Sequence, residues 1–178
     1  MHFISIAVLM FLALVTQHFL GEMPGLGGRI LLMPVLFFYG AAALPLWGML
    51  GLALLAGIMW DAVMVQVVDG RVEVMFGWSV LLYAGLGLIM NGLRPLFLRG
   101  YWLAHCVVVG LLTSFSVLVE YLIITFRREP LQLVFTKEIW MRMCGSGVAA
   151  IIVAVPVFLI LNWIASWAGL LKPERDID

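Results

Sequence analysis

Between Arg29 and Asp69 stand 39 residues, of which a single one, Asp61, is charged. A run of that length is hidden from water either inside a large soluble domain or in lipid. The chain has 178 residues, 65% hydrophobic and 11% charged, with a mean hydropathy of +1.15. Soluble domains are about half apolar and about a quarter charged, so too few polar residues remain here to cover a water-facing surface. The sequence therefore predicts an all-α integral membrane protein. It shows neither strand alternation nor a repeat of the solenoid kind, and one compact bundle of about six transmembrane helices over residues 1–178 is the economical arrangement.

Six apolar runs lie between polar or Gly/Pro breaks. The first covers about residues 3–20 and lacks a basic start or a small-residue cleavage site, which points to a retained helix. The second, "ILLMPVLFFYGAAALP", has only about 16 residues before Pro45, below the length that spans a bilayer comfortably. It is expected either to cross where the bilayer is thinned or to enter and leave on one side. The third is expected from Leu46 to about Val68, the fourth over about 75–91 and the fifth over about 102–126. The fourth leaves through a basic interfacial turn containing Arg94 and Arg99. Thr136 is placed to cap a short interfacial helix over 136–144, with Ile139, Trp140 and Met143 toward lipid and Lys137, Glu138 and Arg142 toward water. A sixth span over about 147–168 precedes a short solvated tail, 171–178.

Charge does not settle which side is which. With six crossings, the side of the termini holds Arg94, Arg99, Lys172 and Arg175, and the other holds Arg29, Arg71, Arg127, Arg128, Lys137 and Arg142. That split is too even for the positive-inside tendency to decide.

Asp61 needs a reason. With the third helix running to Val68, it lies about 10 Å from the helix end, too deep for a short carboxylate to reach water. It is expected to be a helix-to-helix anchor, a contact for a partner, or a proton or ion carrier, in that order of precedent. Gly57, one turn earlier, leaves room for close approach on the same face. Glu120 raises the same question at the end of a stripe formed by Cys106, Val109, Thr113 and Ser116, which should face protein and supply interhelical hydrogen bonds. His105 is expected at the interface. Gly77, Ala84, Gly87, Gly147, Ala150 and Ala154 read as packing residues. Asn91 and Asn162 read as partners for backbone or headgroups.

No catalytic constellation is apparent. The three histidines and two cysteines have no metal-ligand or Cys-x-x-Cys spacing, and neither a phosphate loop nor a nucleophile elbow is present, so no cofactor, metal or enzymatic activity is expected. Balanced, scattered charge at net zero argues against nucleic acid.

The order of features resembles the rod shape-determining protein MreD family. The similarity lies in "RILLMPVLFFYGAAALP", in "GLALLAGIMWDAV" with its Gly57-x-x-x-Asp61, in Gly77 after a short loop, in the turn "LRPLFLRG", and in an acid late in the fifth segment, Glu120. Together these cover about residues 28–126, while "MVQVVDGRVEVMFG" departs from the family in lacking its usual Ser-Gly pair. The resemblance implies a fold similar to the substrate-binding S-components of energy-coupling-factor transporters, a bacterial inner (cytoplasmic) membrane location and cytoplasmic termini. It further implies a non-enzymatic part in cell-shape and peptidoglycan synthesis. The implied partners are a bitopic MreC-like protein and, through it, the MreB filament, RodA and a class B penicillin-binding protein. On this reading Gly57 and Asp61 hold a partner's transmembrane helix. The rival expectation is a vitamin-like binding or transport subunit with a cavity lined by the fifth helix.

Overall fold

The computed structural model describes residues 2–20, 30–64, 67–68, 71–72, 77–127 and 136–167. Among them are seven helices: α1 (His2–Phe19), α2 (Leu32–Ala43), α3 (Leu46–Met64), α4 (Trp78–Gly92), α5 (Arg94–Leu98), α6 (Trp102–Arg127) and α7 (Lys137–Trp167). Between α3 and α4 lies a two-stranded antiparallel hairpin, β1 (Val67–Val68) and β2 (Arg71–Val72), pairing Val67 with Val72 and Val68 with Arg71.

The chain runs back and forth. Gln17 of α1 reaches Met33 of α2, and Ile6 lies against Gly40, so these helices are antiparallel. Gly57 of α3 faces Val80, and Asp61 faces Gly77, with the same consequence for α3 and α4. The end of α3, the hairpin and the starts of α2, α4 and α7 therefore share one end of the bundle. The end of α2, the start of α3, the end of α4, α5 and the start of α6 share the other.

Three helices, α3, α6 and α7, are long and apolar enough to cross a membrane, while Phe3–Phe19, Leu32–Ala43 and Trp78–Gly92 are apolar but shorter. The expectation of about six full-length spans thus divides into three long and three short helices. The shortest of these is also central. In α2 nine residues, Met33, Pro34, Val35, Phe37, Phe38, Tyr39, Gly40, Ala41 and Ala42, are buried, and every other helix packs against it. A helix apolar on all sides belongs inside protein. The second segment is a core helix about 18 Å long at 1.5 Å per residue, and it runs from one end of the bundle to the other.

Such a helix has a particular difficulty, because its terminal N–H and C=O groups lack partners within the helix. Side chains of other helices answer them. Met33 N–H donates to Gln17 Oε1 at 3.2 Å. At the far end Asn91 Nδ2 of α4 donates to the carbonyls of Ala41 at 2.7 Å and Leu44 at 2.9 Å. Aromatic rings then fix the sides of α2: Phe37 meets Tyr83 of α4 with centroids 4.9 Å apart, and Tyr39 meets Phe158 of α7 at 5.1 Å and Phe97 of α5 at 5.7 Å, all edge-on. This geometry suits the ring quadrupoles.

Other boundaries differ from those expected. The interfacial helix over 136–144 and the sixth span form one continuous helix, α7, which runs on through Pro156. "CGSG" reads as a break, yet Gly147 is where α6 crosses: a Cβ there would strike Ser114 Oγ and come within 2.8 Å of Gly110's carbonyl oxygen. Small residues at that level bring two helices together in lipid and do not end one. Lys137, Glu138 and Arg142 are exposed, as on the expected amphipathic turn. The strand pairing beyond α3 was not expected either, and it shortens the third helix from Val68 to Met64. The tail 171–178 lies outside the described residues.

Candidate functional site

With α3 ending at Met64, Asp61 stands in its last turn, about 5 Å from the end at 1.5 Å per residue, half the depth expected. It is nonetheless only 1% exposed, because protein encloses it. A carboxylate at a helix C-terminus faces the negative end of its own dipole, so it needs a compensating donor. The donor is the start of α4: Gly77 N–H donates to Asp61 Oδ2 at 2.6 Å. Gly77 heads α4 at φ 99° without a capping side chain, a backbone conformation that glycine adopts without strain. Asp61 thus caps α4 from another helix. One turn back, any Cβ on Gly57 would overlap the backbone of Val80. Gly57, Asp61 and Gly77 are one device that locks α3 onto α4.

The other carboxylate oxygen, Asp61 Oδ1, is buried and has no hydrogen-bond partner. Around it the three helices bring together a polar cluster. Trp60 of α3 is 4% exposed. Tyr83 of α4, 2% exposed, lies edge-on to Trp60 with centroids 6.3 Å apart and within electrostatic reach of both Glu120 and Asp61. The two carboxyls interact electrostatically with each other. Among the described residues the backbones of α3 and α6 do not approach each other.

Along α6, Cys106, Val109, Thr113 and Ser116 are buried and Glu120 is half-buried, so the stripe faces protein. Its hydroxyls do not join helices, however. Thr113 donates to Val109's carbonyl at 2.7 Å and Ser116 to Thr113's at 2.8 Å, both within α6. The expected interhelical hydrogen bonds are replaced by close packing, in which Gly110 approaches Ile151 and Gly147 of α7.

At the opposite end, His105 is 1% exposed and enclosed by protein. Its ring nitrogens lie 3.1 Å from the carbonyl oxygen of Tyr101 and 3.0 Å from that of Leu93, across the junction of α4 and α5. Arg94 is half-buried with its Nε enclosed and without a partner, and Arg99 is exposed. Trp60, Tyr83 and Gln17 were not picked out from the sequence. A tyrosine and a tryptophan well inside apolar runs, away from the headgroup level where such residues concentrate, were the available signal.

The cluster contains two carboxyls, a phenol and an indole, with no nucleophile and base in contact. Among the described residues no group of three or more His, Cys, Asp or Glu could hold a metal ion. No protein-family model, curated protein or solved structure matches the chain.

Proposed function

We propose that the protein is a non-enzymatic membrane scaffold of the bacterial elongation machinery, of the MreD kind its motifs resemble, and that it holds the transmembrane helix of a bitopic, MreC-like partner. Through that partner it would support the MreB filament, RodA and a class B penicillin-binding protein during peptidoglycan synthesis. It would lie in the inner membrane with both termini cytoplasmic, crossing six times in an arrangement similar to the energy-coupling-factor S-components.

The observation that carries this reading is the centre of the bundle. A vitamin-binding subunit needs a cavity beside α6, but α2 stands there with its aromatic side chains packed on α4, α5 and α7. The buried side chains of Gln17 and Asp61 and the half-buried one of Asn91 all hold backbone groups of this chain. Such an interior supports rigidity and favours a surface that others bind. Gly57 and Asp61 face Val80 and Gly77 within the molecule, so a partner helix would use an outer face. On α4, Gly85 is exposed with open space beside it, which would allow close approach.

Affinity purification of the full chain in mild detergent tests the proposal. Recovery of a single-span protein with a large extracytoplasmic part is the expected result. A bound vitamin-like molecule, or an energy-coupling ATPase in its place, would select the transport reading.

A further inference from the structure

Charge is sorted along the bundle. Among the described residues the acids are Asp61, Glu120 and Glu138, all in the half nearest the hairpin, and the stretch from Val74 to Val119 contains no acid at all. At the opposite end the chain turns from α4 through α5 into α6, and that corner is firmly built. Leu96 and Phe97 N–H donate to the carbonyl of Leu93 at 3.0 and 3.3 Å, Arg99 N–H to that of Pro95 at 3.2 Å and Tyr101 N–H to that of Leu96 at 3.2 Å. A ring nitrogen of His105 lies 3.0 Å from the same Leu93 oxygen.

Two arginines stand on this frame, Arg94 at the start of α5 and Arg99 at its cap. Arg99 is exposed, whereas Arg94 is half-buried with its Nε enclosed and without a hydrogen-bond partner. An arginine keeps its charge in a protein, so its partial removal from water has to be offset by an anion. This end supplies none among the described residues. We propose that the corner of α4, α5 and α6 binds the headgroup of an anionic phospholipid, with the Arg94 guanidinium on the lipid phosphate. The surroundings select a lipid over a dissolved anion. Leu96, Tyr101 and Leu103 are 41%, 61% and 58% exposed on the same corner, which sets apolar and amphipathic side chains for the lipid beside the cationic group for its phosphate. They also favour net negative charge. A zwitterionic headgroup brings an ammonium along with its phosphate, and that ammonium would meet two guanidiniums and no described acid. Arg99, in solvent, adds attraction, while Arg94, anchored at its enclosed Nε, fixes the position. The site goes beyond the scaffold reading and does not depend on which partner is bound.

Thermal unfolding of the full chain in a neutral detergent, with short-chain phosphatidylglycerol titrated in, tests the site. The expected result is a saturable rise of the midpoint that short-chain phosphatidylcholine and inorganic phosphate at equal ionic strength do not produce. Arg94→Gln abolishes the rise. Arg94→Lys, whose ammonium is a point charge without the guanidinium fork, loses most of it, and Arg99→Gln only raises the lipid concentration required. No rise with phosphatidylglycerol, or an equal one with phosphatidylcholine, overturns the proposal in the wild type alone. An equal rise with inorganic phosphate assigns a free anion and overturns the lipid. Full retention in Arg94→Lys, or equal losses in Arg94→Gln and Arg99→Gln, reduces the effect to a diffuse positive field and overturns the site. Where Arg94→Gln does not fold, native mass spectrometry of the wild type from an equal mixture of the two lipids takes its place: preferential retention of phosphatidylglycerol supports the site, and equal retention overturns it.

Discussion

One oxygen of Asp61 accepts the Gly77 N–H, and substitution isolates that bond. Asn retains an acceptor for Gly77 N–H, while Ala retains none and leaves the start of α4 without its cap. Loss of a buried acceptor costs roughly 1–3 kcal/mol. Asp61→Ala should therefore lower the unfolding midpoint in detergent well below that of Asp61→Asn; equal midpoints would mean that the bond to Gly77 contributes nothing. Gly77 permits a second test of the same lock. Its φ of 99° is costly for any residue with a Cβ, by about 1–2 kcal/mol, although there is open space around it. Gly77→Ala should accordingly destabilise through the backbone alone, and Gly77→Asn, which tolerates that region better, should recover part of the loss in the same melt.

Among the elements, α2 is the one whose place was least readable in advance. It was visible as a run of roughly 16 residues, below a comfortable spanning length, but length alone does not distinguish a thinned crossing from a core helix of 12 residues. What decides is which side chains meet its ends, and Gln17 and Asn91 lie 16 and 50 residues away from the Met33 and Ala41 groups they bind. Local pattern carries no such information. Asn91 was legible as a backbone partner, though not as the partner of this backbone. The Gly57-x-x-x-Asp61 spacing was legible as a close approach because both residues lie on one helix face, whereas the bond from Gly77 to Asp61 joins residues 16 positions apart on two helices. The hairpin could have been suspected from Asp69-Gly70 set between Val68 and Arg71, since Asp-Gly favours tight turns. Removing the amide of Asn91 exposes two carbonyls in the bundle interior, so Asn91→Leu should destabilise by roughly 1–3 kcal/mol in the detergent melt. The glycines of α3 and α4 should divide by surroundings. Gly57→Ala forces the two helices apart and lowers the midpoint, while Gly85→Ala, with nothing near its Cβ, gains up to about 1 kcal/mol of helix propensity. If Gly85→Ala stabilises the isolated protein yet reduces recovery of a partner, the outer face of α4 is where that partner packs.

For the whole molecule the open question is how helices of unequal length cross one membrane. At 1.5 Å per residue α2 is about 18 Å long and α4 about 22 Å, against roughly 30 Å of hydrocarbon. Taken singly, neither is as long as the hydrocarbon is thick. Within the bundle they need not be, because α6 and α7, about 39 and 46 Å long by the same rise, carry the lipid boundary beside them. The ends of α2 are closed by Gln17 and Asn91 and so tolerate immersion. The back-and-forth course of α3, α4, α6 and α7 sets Arg99 and Lys137 at opposite ends of the bundle, and both are exposed. Single cysteines at these two positions, in a chain with Cys106 and Cys144 replaced, test the arrangement with a membrane-impermeant thiol reagent. Lys137→Cys should label in intact cells and Arg99→Cys only after permeabilisation. The reversed pattern would keep the bundle and invert it, placing Lys137 and Arg142 inside, as the positive-inside tendency prefers. Labelling of both from one side would contradict the alternation itself: α6 crosses the membrane between those two positions, and no packing of the short helices can substitute for that crossing.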